Sequence, residues 1–437
     1  MSTSYIFRTI FLKRIDICII KEYNTHNKYK KEVVDVRMIE RKAYLDWLIR
    51  WREQQIIKVV SGVRRCGKST MFEIYRDYLV RNGVDAAQII AINFEDMDNE
   101  HLTDYRALYD HVKEILLPDK MNYIFLDEVQ HVDEFEKAVD SLFLKKNCDV
   151  YITGSNAYFL SSELATLLSG RYVELRMLPL SFKEFCSGLD VSNMTKTEKF
   201  NQYMAIGSFP YTLKFSQHEQ EAKEYLRDVY NTVLLKDIVN RLKISDVTSL
   251  ESVTKFMFHN IGSIVSPTKI ANTMKSAGKG ADQKTVDKYI KGLCDSLILY
   301  EATRYNIKGK DFLSTHSKYY CVDIALRNLL VRGRDSDVGH ILENIVFLEL
   351  KRRGYDVYVG QFNGTEVDFV AINPEGTIYY QVAATTLDAN VLTRELASLR
   401  KISDNYPKYL LTLDEAFGTA DYDGIKKVNV IDWLLEG

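Results

Sequence analysis

The stretch "GVRRCGKST", residues 62–70, carries the residue types of a phosphate site at the spacing that chemistry needs. Gly62 and Gly67 permit a tight loop whose backbone N–H groups turn inward around phosphate oxygens. Val63, Arg64, Arg65 and Cys66 supply the amides between them. Lys68 is placed to reach the β- and γ-phosphates of ATP, and the Ser69 hydroxyl to ligate Mg²⁺. With Thr70 it opens a helix whose positive N-terminal end favours an anion. Downstream, "YIFLDEVQ" (123–130) closes an apolar run with two carboxylates. Asp127 fits the Mg²⁺ carboxylate. Glu128, one residue further, fits the base that polarises the attacking water.

Other polar residues fit the same site less specifically. "ITGSN" (152–156) ends a strand in Thr153, Ser155 and Asn156. Ser155 and Asn156 suit contact with the γ-phosphate or its attacking water, and suit a helix N-cap as well. Arg171 and Arg176 follow in "SGRYVELRMLPLSFKEF" (169–185). Either suits phosphate contact, in cis or across an oligomer, or plain salt-bridge duty. Near the C-terminus, Glu343 and Asp368 match two acids of a metal-dependent nuclease core. Gln381 and Ala383 stand where that chemistry wants a further acid and a lysine, and no lysine lies between 352 and 400. Arg394 is a poor substitute as a proton acceptor. Nuclease activity is therefore not expected.

These residues need elements to hold them. Apolar runs at 56–62, 88–96, 123–128 and 149–156 read as buried strands, with helical patterns near 68–82, 100–116 and 133–146 between them. Strands buried on both faces and separated by helices imply a parallel sheet. In such a sheet ligands sit at the carboxyl ends of the strands, where Gly62 and Asp127 fall. A mostly helical region follows to about 260. Residues 266–323 read as a winged helix: a first helix capped at Ser266-Pro267, a second with Val286, Tyr289, Ile290 and Leu293 on one face, and a hairpin. Residues 266–318 hold ten basic and five acidic side chains, a local excess of five. Lys284, Lys288 and Lys291 on the second helix suit DNA phosphates, although a rigid spacer has the same pattern. The last segment orders its elements α-β-β-β-α-β, like the PD-(D/E)XK nuclease core.

Composition sets the outer bounds. The 437 residues are 46% hydrophobic and 27% charged, with 58 basic against 60 acidic side chains, so no whole-molecule field draws the chain to nucleic acid. Six scattered cysteines without a C-x-x-C pair suit reduced thiols better than a disulfide frame or a zinc site. No apolar stretch is long enough to span a membrane, and charges interrupt the N-terminal apolar run. The reading is cytoplasmic.

Taken together, "MIERKAYLDWLIRW", "VVSGVRRCGKST", "FLDEVQ", "ITGSNAYFLSSELATLLSGRYVELRMLPLSF" and the C-terminal segment resemble the predicted AAA-type ATPases of bacteria and archaea that carry a C-terminal nuclease-like domain of unknown function. The resemblance covers roughly 38–437 and implies an AAA+ or closely related P-loop ATPase core. It begins at Met38, which makes residues 1–37 an appended arm or the product of an upstream start codon. The expected domains are a P-loop ATPase at 38–180, a helical lid-like region at 181–260, a winged-helix-like domain at 261–335 and a nuclease-like α/β domain at 336–437. The expected ligands are ATP and Mg²⁺. DNA through the winged-helix region, and a second copy of the chain, stand as open partners. The expected function is ATP hydrolysis that drives conformational change. A slow ATP switch that recruits a partner and an ATP-coupled nuclease are the alternatives.

Overall fold

The computed structural model describes residues 39–437 except 155–167, 169, 190–192, 277, 279, 281, 332–337, 416–417 and 437. The expected N-terminal arm, with Ser155 and Asn156, lies outside the described residues.

Five strands form the first sheet: β1 (Ile57–Gly62), β2 (Ile89–Asn93), β3 (Asn122–Asp127), β4 (Cys148–Thr153) and β5 (Tyr172–Met177). Their spatial order is β2-β3-β4-β1-β5, and every pairing is parallel. The expected parallel sheet is therefore present. Every residue of β1, β3 and β4 is buried, which is why these strands read as near-continuous apolar runs rather than alternating ones. Alternate residues feed two cores. Val60, Phe125 and Tyr151 pack on one face with Phe72 and Tyr75 of helix Lys68–Arg81. Val59, Ile124 and Ile152 pack on the other with Leu108 and Leu142 from helices Tyr105–Ile115 and Phe135–Phe143.

Helices Phe182–Gly188, Lys196–Ile206, Glu219–Thr232 and Val247–His259 occupy the region expected to be helical. A stretch of π-helix, Val233–Asn240, continues directly from Glu219–Thr232. Helices Pro267–Ser276 and Gln283–Asp295 then lead into the hairpin of β6 (Leu299–Asn306) and β7 (Asp311–Cys321). Val286, Tyr289, Ile290 and Leu293 are buried, as their helical spacing suggested.

The remaining strands are β8 (Asp356–Phe362), β9 (Thr365–Asn373), β10 (Gly376–Ala383), β11 (Lys408–Thr412), β12 (Ala420–Tyr422) and β13 (Ile425–Asn429). They join the hairpin in one eight-stranded mixed sheet, ordered β12-β13-β11-β10-β9-β8-β6-β7. The sheet thus runs across the expected division at 335/336, because β6 pairs in parallel with β8 through Arg304–Asn306. Helices Val338–Arg352 and Ala389–Arg400 feed separate cores of this sheet, through Val346 and Leu350 in one case and Leu396 and Leu399 in the other.

Candidate functional site

β1 ends at Gly62, and the loop that follows turns into helix Lys68–Arg81. Gly62 is fixed by crowding: a Cβ there would lie 2.6 Å from the Met177 carbonyl oxygen and 2.7 Å from Cys66 Sγ. Gly67 is fixed by conformation, with φ of 101° at the helix N-cap, a region side chains avoid. Val63 and Cys66 turn inward and are buried, whereas Arg65, Ser69 and Thr70 are exposed. Burial pushes the Cys66 thiol above its ordinary value, so it acts as an inert packing group rather than a nucleophile.

Lys68 is buried, and its Nζ donates to the Gly62 carbonyl at 3.3 Å and lies 3.6 Å from Glu128 Oε1. Burial works to raise the Glu128 carboxyl, but Lys68, the Gln130 amide and Arg64 outweigh it and hold it below the usual carboxylate range. Glu128 also has φ of 54°, an uncommon backbone state for a side chain and one that recurs at functional positions.

β4 lies between β1 and β3, and its last residue completes the site. Thr153 Oγ1 donates to Asp127 Oδ1 and accepts the backbone N–H of Glu128 at 2.9 Å. One hydroxyl thereby orients both carboxylate residues. The sequence suggests for Thr153, as a polar strand end, a part in sensing the γ-phosphate or holding the water; its hydroxyl is instead engaged with the two carboxylate residues.

Arg64 leaves the loop sideways. Its Nε donates to Asp237 Oδ1 and Oδ2 at 2.7 and 2.9 Å, and its Nη1 lies 3.7 Å from Glu95. Asp237, on the π-helix, is buried, and burial raises its carboxyl against the pull of Arg64 and Lys68. Nothing in its local sequence marks it, because its partner lies 173 residues away.

Arg41 is a second residue the sequence did not reveal. Its buried guanidinium donates to the Cys66 carbonyl at 2.9 Å, the Leu178 carbonyl at 2.7 Å and Glu184 Oε2 at 3.2 Å. It ties the back of the phosphate loop to the chain leaving β5.

Arg171 does not reach this site within its own chain. The register pairs Ile57 with Tyr172 and Gly62 with Met177, so Arg171 stands at the opposite end of the sheet from the loop. There it lies 3.7 Å from Asp140, half exposed. Arg176 is nearer the loop but pairs with Glu174 at 3.0 Å.

The residues present fit ATP and Mg²⁺. Gly62 has no room for a side chain and Gly67 has a backbone conformation that disfavours one, Lys68 supplies a buried cation, and the exposed Ser69 hydroxyl stands on the first helical turn. Asp127 adds a hard oxygen donor, the type Mg²⁺ prefers.

The C-terminal carboxylates sit in a different setting. Glu343 Oε1 accepts from Lys318 Nζ at 2.9 Å and from the Tyr320 hydroxyl at 2.5 Å. Lys318, on β7, also lies 2.7 Å from Glu366. A lysine from the hairpin, outside the 352–400 segment that lacks one, thus reaches Glu343 and Glu366. Burial, with Glu343 nearby, pushes the Asp368 carboxyl well above its ordinary value. Gln381 does not join the carboxylates as a ligand. Its Nε2 donates to Glu395 at 3.0 Å and its Oε1 accepts from Ser398 at 3.2 Å, both on helix Ala389–Arg400, and from the Asp368 backbone N–H at 3.3 Å. Among the described residues no group of three or more His, Cys, Asp or Glu is disposed to hold a metal ion.

Sheet order and loop define an AAA-type P-loop nucleotide-binding core, and residues 54–186 match the family described as AAA domain. Residues 197–337 match a domain of unknown function, DUF8612. An uncharacterized protein of Haemophilus influenzae is 38% identical over 402 residues, covering 91% of this chain and 99% of that one. The chain belongs to the same family as that protein. An uncharacterized protein of Methanocaldococcus jannaschii is 27% identical over 395 residues, covering 86% of this chain and 85% of that one. Among solved structures, AMPPCP-bound DnaA from Aquifex aeolicus matches with a TM-score of 0.30 at 13% identity, covering 59% of this chain and 88% of that one. The Aeropyrum pernix ORC1 protein in complex with DNA matches with a TM-score of 0.29 at 13% identity, covering 72% and 96%. Likeness at that level assigns no function. Among the described residues no helix is long and apolar enough to cross a membrane.

Proposed function

We propose that this protein binds ATP with Mg²⁺ and hydrolyses it, and that the cycle moves the helical and C-terminal parts of the chain. The observation that carries this reading is the convergence of Lys68, Asp127, Glu128 and Thr153 at one end of the parallel sheet. In the proposed reaction the loop amides and Lys68 bind the β- and γ-phosphates, while Ser69 and Asp127 hold Mg²⁺. Mg²⁺, when bound there, would neutralise negative charge on the phosphates. Glu128, kept ionised by Lys68 and Arg64, orients the attacking water and accepts its proton. Thr153 keeps both carboxylates aimed.

Nucleic-acid cleavage is not part of the proposed function. Lys318 already balances Glu343 and Glu366, and Gln381 turns toward helix Ala389–Arg400. Both features work against an Mg²⁺ site among these acids. Equal plasmid nicking by the wild type and an Asp368→Ala variant, in Mg²⁺ or Mn²⁺, is the expected result. DNA as a partner rests on the exposed Lys284 and Lys291 of helix Gln283–Asp295, whereas Lys288 is engaged with the Leu242 carbonyl at 3.0 Å.

The deciding experiment is ATP turnover by the purified chain, alone and with single-stranded DNA, duplex DNA or RNA. Turnover that survives Lys68→Ala overturns the proposal.

A further inference from the structure

We propose that Asp237 is a positioning residue of the phosphate site, and that the π-helix carrying it relays nucleotide state to helix Gln283–Asp295. The inference rests on the ATP-binding reading above and adds to it a residue and a route.

The first observation is the Arg64–Asp237 pair. Arg64 stands between the two loop glycines, so its backbone belongs to the phosphate cradle while its guanidinium reaches Asp237 at 2.7 Å. Asp237 is only 8% exposed, and Lys68 and Glu128 both act on its charge. A terminal phosphate entering the cradle competes for Arg64 and repels Asp237. The guanidinium is shared or surrendered, and the segment that carries Asp237 must respond.

The second observation is the geometry of that segment. Val233–Asn240 is π-helical, a rare, wide-turned form that recurs at functional sites. Its opposite side has no slack. A Cβ on Gly292 would lie 2.7 Å from Leu242 Cδ1 and 3.2 Å from Ile238 Cγ2. Lys288 Nζ donates to the Leu242 carbonyl at 3.0 Å, and Arg241 Nη2 to Asp295 Oδ2 at 3.1 Å. Asp237 and Ile238 are adjacent in sequence, one facing the phosphate loop and the other Gly292. Close-packed contacts of this kind pass displacements on rather than absorbing them. Helix Gln283–Asp295 therefore follows the π-helix when Arg64 changes partner.

Hydrogen–deuterium exchange of the full chain tests this, with Mg²⁺ and either a non-hydrolysable ATP analogue or ADP, each at saturation. In the wild type the analogue is expected to protect 62–70 and to change exchange at 233–242 and 283–295. ADP, which lacks the terminal phosphate, is expected to change neither of the last two segments. Asp237→Asn is expected to lose the analogue-dependent change in both. Gly292→Ala is expected to keep it at 233–242 and lose it at 283–295. The relay is overturned if 62–70 is protected while 283–295 does not respond, if ADP and the analogue act alike there, or if Asp237→Asn responds as the wild type. Absence of protection at 62–70 in the wild type overturns the ATP-binding reading itself, and the relay with it. Should Asp237→Asn fail to fold, Arg64→Gln breaks the same pair from the other side, and the same loss is expected.

Discussion

Lys68 Nζ lies 3.6 Å from Glu128 Oε1, so the cation of the phosphate loop and the carboxylate that follows β3 are charge partners at the mouth of the site. Lys68 helps to hold Glu128 below the usual carboxylate range. Without Lys68 the balance at Glu128 shifts toward burial, which favours its protonated, non-basic form. Lys68→Ala is accordingly expected to abolish ATP turnover. Glu128→Gln is expected to lower turnover by about 100-fold or more. Analogue binding should hold or tighten in that variant, because a negative charge beside the phosphates is gone. Phosphate release and analogue titration separate the two effects, and loss of analogue binding by Glu128→Gln would remove Glu128 from its assigned role.

Thr153 offers a subtler test. Its hydroxyl orients Asp127 and accepts the Glu128 amide. Thr153→Val keeps the shape and removes both bonds, leaving a buried N–H unpaired. A partner that aims a metal ligand is worth about 10- to 100-fold in metal affinity. The Mg²⁺ concentration for half-maximal turnover is expected to rise by about 10-fold, and Thr153→Ser should restore it. An unchanged Mg²⁺ dependence with a lower melting temperature would reduce Thr153 to a packing role.

Arg41 concerns stability rather than chemistry. It satisfies the Cys66 and Leu178 carbonyls and pairs with Glu184, whose carboxyl burial works to raise but Arg41 and Arg352 bring below its ordinary range. Arg41→Met is expected to cost about 3 kcal/mol, since it strands a mostly buried carboxylate. Urea unfolding measures it. Because Glu184 is held low, its stabilisation is present above its ordinary value of 4.5 and fades as the pH falls through its depressed value. The cost of Arg41→Met should therefore shrink in acid.

What the sequence made legible, and what it hid, follows from distance along the chain. β1, β3 and β4 were readable because burial on both faces leaves an apolar run. The phosphate loop was readable because its residues are consecutive. Asp237, Arg41 and Lys318 escaped notice because their partners lie 173, 143 and 25 residues away and no local pattern records them. Arg171 directly precedes β5, the neighbour of β1, and nothing in the sequence says which end of β5 meets the loop; the register puts Arg171 at the far end. Strand partnership is equally non-local, so the junction of β6 with β8 could not be inferred from the two hairpin strands alone.

The pH response of the C-terminal carboxylates gives the last prediction. Burial works to raise Glu343, but Lys318, His340 and Tyr320 hold it below its ordinary value. Asp368, buried beside it, is held well above its ordinary 3.8. A raised acid supports the fold while it is protonated. That support is complete below 3.8 and is lost as the pH rises through the folded-state value. Asp368→Asn removes the titration while its carbonyl can still accept the Val382 N–H, a bond the wild type makes at 2.8 Å. Relative to the wild type, the variant should gain stability steadily as the pH climbs above 3.8, by at most about 1.4 kcal/mol per pH unit. Urea denaturation of both proteins across that range measures the difference. A gap that stays constant with pH would mean that Asp368 is ionised throughout, and that Lys318 balances it along with Glu343 and Glu366.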